Sequence, residues 1–203
     1  MNEMPDFTLE IPNNGLPDPA EITYYVLEKE RKLYLDFDID DAALSIQKMI
    51  LRWNMEDKGK PVEERKPIWL YILSSGGAIT HMWAICDAIN LSKTPIYTVN
   101  VGLAASAASL IFISGHKRFM FPKATVLIHE GSAELSGDAI KVMDQSEAYR
   151  KSLKQMKEYI LQKTNIPPKE LNKKRANDWE LSSDYCMKNG VCDILVTSLE
   201  EII

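Results

Sequence analysis

Residues 94–115 read TPIYTVNVGLAASAASLIFISG. Pro95 to Val101 alternates as a strand does, a cluster of small residues follows, and an apolar run of helix length comes next. The junction places the hydroxyl of Ser106 at the mouth of a strand-to-helix turn. Gly102, Ala104, Ala105, Ala107 and Ala108 are too small to shield it. The first amides of the following helix, free N–H groups at the positive end of a helix dipole, favour an oxyanion developing beside that hydroxyl. The plainer reading is a serine that only caps the helix.

Two neighbouring segments repeat the strand-then-turn pattern. Pro67 to Leu73 (PIWLYIL) is a short apolar run of buried-strand type, followed by Ser74-Ser75-Gly76-Gly77 and a helical segment from Ile79 to Leu91. Two glycines there allow backbone conformations closed to other residues and let an N–H approach a ligand closely, although a plain tight turn needs no more. Ala124 to His129 (ATVLIH) is a third strand, and it closes on a histidine. His81, in an amphipathic helix, and His116, in the turn SGHKR, are expected as exposed surface groups. In a parallel sheet the ends of successive strands converge on one crevice, which would bring the glycines, Ser106 and His129 together. Strands alternating with helices make this an α/β chain.

Farther out the pattern is less sharp. Ile22 to Leu27 and Lys32 to Phe37 alternate as two strands around the charged turn Glu28 to Arg31, and Asp40 to Trp53 has helical spacing. Asn54 to Lys66, NMEDKGKPVEERK, reads as a solvated surface loop. Asp138 to Lys163 predicts a helix long enough to project from the body. Its partly apolar stripe (Ile140, Met143, Leu153, Met156, Ile160) packs against the chain itself or another subunit, and Glu147 supports Lys151 one turn on. Residues 1–20, with Pro5, Pro12, Pro17 and Pro19, are expected as a flexible arm, and 21–203 as a single domain.

Composition narrows the function classes. With 203 residues, 45% hydrophobic and 26% charged, the chain suits one substantial core. A net charge of -5 argues against a nucleic-acid surface, which needs concentrated Lys and Arg. Cys86, Cys186 and Cys192 are an odd number without metal-type spacing, which fits a reducing compartment, with cytoplasm as the expectation. No apolar stretch reaches the roughly 20 residues that span a bilayer, and MNEMPDFTLEIPNNGLPDP is too acidic and polar for a signal peptide.

Taken in order, SSGG, GLAASAAS, LIHE, DWELS and KNGVCDIL resemble the proteolytic subunit of the Clp protease, whose patterns are Ser-Pro-Gly-Gly, Gly-x-Ala-Ala-Ser-x-Gly, Ile-His-Gln-Pro, Asp-Arg-x-x-Ser and Gly-x-x-Asp. The resemblance covers about Ile22 to Ile203. It implies a Clp-protease and crotonase type of fold, a spiral of strand-helix units with the Asp138 to Lys163 helix as a protruding handle. It also implies Ser106 as nucleophile, His129 as general base, and the backbone N–H groups of Gly77 and Ala107 as the oxyanion hole. The activity implied is endopeptidase cleavage of unfolded polypeptides inside stacked rings of seven subunits, pure or mixed with a paralogue, fed by an AAA+ unfoldase, with no metal or organic cofactor. ATP would be used by the partner, since the chain has no phosphate-binding G-x-x-x-x-G-K-[ST] pattern.

Several positions depart from the family. Its third triad member, an aspartate, falls on Lys174, which cannot accept a hydrogen bond from an imidazole N–H. Asp178, Asn172 or Asn177 could orient His129 instead. Ser75 replaces the proline, Ala108 the second glycine of the serine motif, and Glu130-Gly131 the Gln-Pro. Two competitors follow: a non-catalytic ring subunit with a degenerate triad, and a crotonase-like enzyme acting on acyl-CoA.

Overall fold

The computed structural model describes residues 18–175 and 177–203. Five parallel strands form the body of the sheet in the order β1 (Lys32–Leu35), β2 (Ile68–Ser74), β3 (Ile96–Ala105), β4 (Lys117–Met120) and β7 (Ile194–Leu195). β3 is the long central strand and it forks the sheet. Its first half pairs with β2 and β4, while Leu103 to Ala105 pairs in parallel with β5 (Thr125–Ile128). β5 in turn pairs antiparallel with β6 (Trp179–Ser182).

Alternation along β2 separates two apolar faces. Ile68, Leu70 and Ile72 are fully buried in the main core, on the side of helices α2 (Leu44–Glu56), α3 (Ile79–Leu91) and α4 (Ala107–Ser114). Tyr71 joins Val99 and Phe119 in a smaller cluster, against which Trp69 and Tyr97 pack. The expected α/β architecture is therefore present. Beyond the sheet lie α5 (Ala139–Lys163), α6 (Pro168–Lys174) and α7 (Ser183–Lys188). The long helix matches its sequence reading to one residue, with Asp138 as N-cap accepting from the Lys141 amide. Ile140 and Met143 stand exposed on it, whereas Ile160 is buried. No helix among the described residues is long and apolar enough to cross a membrane.

Two expectations fail. Ile22 to Leu27 is not a strand but lies within helix α1 (Pro19–Lys29), so Pro19 and Ala20 of the expected arm are helical, and residues 1–17 lie outside the described part. The β-branched and aromatic residues that suggested a strand are overridden by Glu21 in the first turn and Lys29 in the last, the charge order a helix dipole favours. Tertiary contact adds to this: the Tyr24 ring meets Tyr34 edge-on at 6.2 Å and its hydroxyl donates to Asp36 at 2.5 Å.

Asn54 to Lys66 is also more than a solvated loop. Helix α2 continues to Glu56, and Asp57 is wholly buried. Its carboxylate accepts from both terminal nitrogens of Arg31 (2.5 and 3.0 Å), from Lys60 (2.9 Å) and from the Thr94 hydroxyl (2.9 Å). The Arg31 guanidinium holds the Asp57 carboxyl well below the usual carboxylate range, against the opposing effect of burial, and Lys60 and Thr94 add to the effect. A charge-rich stretch thus conceals a buried polar knot joining the starts of β1 and β3 to the end of α2.

Candidate active site

The candidate residues converge where β2, β3 and β5 end. β3 delivers Ser106 in the left-handed region, at φ 52° and ψ −124°; only Arg31 shares a positive φ among the described non-glycine residues. That strained conformation is held from both sides. The Ser106 amide donates to Leu127 of β5 at 2.9 Å, and its carbonyl accepts from the amide and hydroxyl of Ser109 at 3.0 and 2.6 Å. Every residue of α4, which follows, is buried, so the turn is fixed to the core. Residues held in sparsely populated backbone regions persist only where their surroundings over-determine them, and they cluster at functional sites.

The capping alternative fails on geometry. Ser106 is the N-cap of α4, yet its side chain makes no capping hydrogen bond. Its Oγ lies instead 2.8 Å from Nε2 of His129. Behind the ring, Nδ1 lies 3.1 Å from Oδ1 of Asp178. Since a carboxylate only accepts, this arrangement has Nδ1–H donating to Asp178 and leaves Nε2 free to accept the serine proton. Of the residues considered for this place, Asn172, Lys174 and Asn177 are exposed and make no hydrogen bond to the ring among the described residues.

Sheet register explains why Asp178 is the one. In the antiparallel β5–β6 pair Ile128 lies opposite Trp179, so the next pair outward is His129 and Asp178. A carboxylate is thus supplied from one strand position before β6, although α6 has already ended at Lys174.

The glycines form the facing wall. Gly76 and Gly77 have φ of +107° and +145°, open to glycine alone at little strain. A Cβ at Gly76 would lie 2.7 Å from the Ser106 Cβ, and one at Gly77 would lie 2.5 Å from the Ile39 carbonyl oxygen. The Ile39 amide donates to Gly76 (2.7 Å) and its carbonyl accepts from Ala78 (2.8 Å), which turns the Gly77 N–H away from Ile39. The Gly77 and Ala107 amides have no partner among the described residues, and both residues line one cavity of about 210 Å³ with Ser106 and His129. The rest of its wall has an apolar side of Ile79, Leu110, Ile128, Met156 and Ile160 and a polar side that includes Ser109, Glu130, Ser132 and Tyr149.

The other nucleophile and base candidates lie elsewhere. Burial pushes the Cys86 thiol up to about 12 and the Cys192 thiol up to about 11, and it raises Cys186 as well. Thiols so suppressed are poor nucleophiles. His116 is exposed as expected, but its Nδ1 accepts from the Ile96 amide at 2.9 Å and so secures the start of β3. His81 is half-buried rather than exposed, with Nε2 3.3 Å from Asp41.

A sequence model of the Clp protease family matches residues 19–198. The chain belongs to the Clp protease family. The ATP-dependent Clp protease proteolytic subunit of Oltmannsiellopsis viridis is 31% identical to it over 178 residues, which cover 86% of this chain and 88% of that protein. The seven-stranded sheet with its helices is the α/β fold of this family. The imidazole's partner in this chain is Asp178, from the connector before β6, and not the exposed Lys174.

Proposed function

We propose that the chain is a Clp-type serine endopeptidase that cuts unfolded polypeptides through an acyl-enzyme. The observation that carries this reading is the continuous Ser106–His129–Asp178 chain, at 2.8 and 3.1 Å, opening on a cavity that two unpartnered amides line. Ser106 Oγ attacks the scissile carbonyl carbon while His129 Nε2 takes the hydroxyl proton. Asp178 keeps the ring in the required tautomer and stabilises the imidazolium that forms. The resulting oxyanion faces the N–H groups of Gly77 and Ala107. Collapse breaks the C–N bond, the amine leaves with the proton from His129, and water then repeats the sequence to free the acid. The apolar side of the wall suits an apolar side chain of the substrate.

The same reading includes assembly into stacked heptameric rings and feeding by an AAA+ unfoldase, in keeping with the family. Lys174 favours the competing reading of a non-catalytic ring subunit, but Asp178 supplies the acceptor that Lys174 lacks. An acyl-CoA enzyme would need a free carboxylate facing the cavity. Glu130, which lines it, is tied to Arg175 at 2.9 Å.

A fluorophosphonate probe tests the proposal. Labelling at Ser106 in the assembled chain, abolished in Ser106→Ala together with a fall in peptide hydrolysis on the order of 10⁶, is the expected result. A clean negative in assembled rings leaves the scaffold reading, and tight binding of a CoA thioester would favour the third.

A further inference from the structure

Asp178 is a weakly secured partner by itself. Its side chain is 74% exposed, and its carboxylate makes no second hydrogen bond among the described residues. Exposed pairs of this kind are worth little unless the backbone holds both partners in place. The backbone next to His129 is held at Glu130. Glu130, next after His129, donates its amide to the Arg175 carbonyl at 2.9 Å and accepts at its own carbonyl from the Tyr149 hydroxyl of α5 at 2.8 Å. Its carboxylate meets Nη1 of Arg175 at 2.9 Å.

Arg175 caps the C-terminus of α6 immediately before the connector that carries Asp178. Its Nε is buried and unpartnered among the described residues, so Glu130 is the partner that fixes the guanidinium. The charged and titratable groups at this corner are Glu130 beside the ring, Asp178 on the connector, Arg175 from α6, and Lys157 and Tyr149 from α5.

We propose that Glu130 and Arg175, with the Tyr149 hydroxyl, are positioning residues that lock the connector carrying Asp178 to the loop carrying His129 and so keep the aspartate against the imidazole. Two loops that each end a strand or helix become one rigid corner, anchored through Tyr149 to the long helix. The inference rests on the hydrolase reading for its kinetic consequence, though not for its geometry. The carboxylate behind the imidazole comes from an exposed connector, and the clamp removes that connector's freedom.

The test uses the full chain, with NMR of 15N-labelled histidine and the rate of fluorophosphonate labelling as separate readouts. The downfield Nδ1–H signal of a histidine bonded to a carboxylate is assigned by its loss in Asp178→Asn. Arg175→Ala and Glu130→Ala should each broaden or lose that signal and slow Ser106 labelling on the order of 10-fold, with KM for a peptide nearly unchanged. Glu130→Gln, whose amide oxygen still accepts from the guanidinium, should restore most of both. Adding Asp178→Asn to Arg175→Ala should slow labelling no further than Asp178→Asn alone.

An intact Nδ1–H signal with unchanged labelling in both alanine variants overturns the proposal, as does a double variant whose effects multiply. Should Arg175→Ala fail to fold, Arg175→Lys, which keeps the charge but loses the planar fork, carries the same comparison. A chain that never labels refutes the hydrolase reading, while the NMR comparison still decides the clamp.

Discussion

Ser106 and the glycines opposite it sit on backbone locked by the core, whereas His129 and Asp178 sit just beyond the last pair of an antiparallel ladder, with side chains 30% and 74% exposed. On the serine side the geometry follows from sheet pairing, a buried helix and positive-φ glycines that admit no side chain. On the histidine side it depends on a register and a few side-chain contacts between loops. The same site therefore joins a half that can be disturbed only by disturbing the fold and a half that can be loosened locally.

The largest expected effect outside Ser106 itself comes from the knot at the other end of the sheet, where β1 and β3 begin. Removing Arg31 takes away two of the four donors to the buried Asp57 carboxylate and leaves it only Lys60 and Thr94, and Arg31→Ala should destabilise the chain by about 3 kcal/mol in denaturant unfolding, with kcat per folded molecule preserved. The pH dependence sharpens this. Because the folded-state carboxyl of Asp57 is depressed, its contribution is full above the unfolded carboxylate range, near about 4, and is lost as pH falls below it. Stability of the unaltered chain should drop through that acid window, and Arg31→Ala should flatten the drop.

Gly76→Ala comes next, since its Cβ would press on Ser106 at 2.7 Å. Peptide hydrolysis should fall about 10²–10³-fold, comparable to losing an oxyanion donor, together with a lower melting temperature. If activity fell without any loss of stability, the serine half would not be core-locked. Asp178→Asn should slow turnover about 10²-fold, less than the roughly 10⁴ seen for a buried triad aspartate, because water can partly replace an exposed carboxylate. Melting temperature should scarcely move, in contrast to Gly76→Ala. Lys174→Ala is the smallest case: a rate within about twofold of the parent is expected, because Lys174 is exposed at the end of α6 and makes no contact with the ring. A large loss there would mean that the lysine, not Asp178, governs the histidine.

Much of this was legible in order along the chain. Ser74 to Gly77, the small residues around Ser106 and the strand closing on His129 carry local signals, namely alternation, glycine and the switch to helical spacing, and those signals locate three strand ends on their own. Helix α1 is not legible in this way, because Ile22 to Val26 has strand-forming side chains and contact with Tyr34 and Asp36 lies outside any local window. Asp57 was hidden among exposed charges, since burial is not encoded in charge density. β4, β6, β7, α6 and α7 carry no comparable local signal, being short elements whose formation depends on pairing and packing.

The sequence alone determined the α/β alternation, the serine turn with its glycines, the strand-end histidine and membership of a family, because each is written in residues close together or in a fixed order of motifs. Which carboxylate stands behind the histidine was decided only in three dimensions. Asn172, Lys174, Asn177 and Asp178 crowd within one short stretch, and the Ile128–Trp179 register, a contact between residues about fifty positions apart, chooses among them by putting position 178 across from position 129.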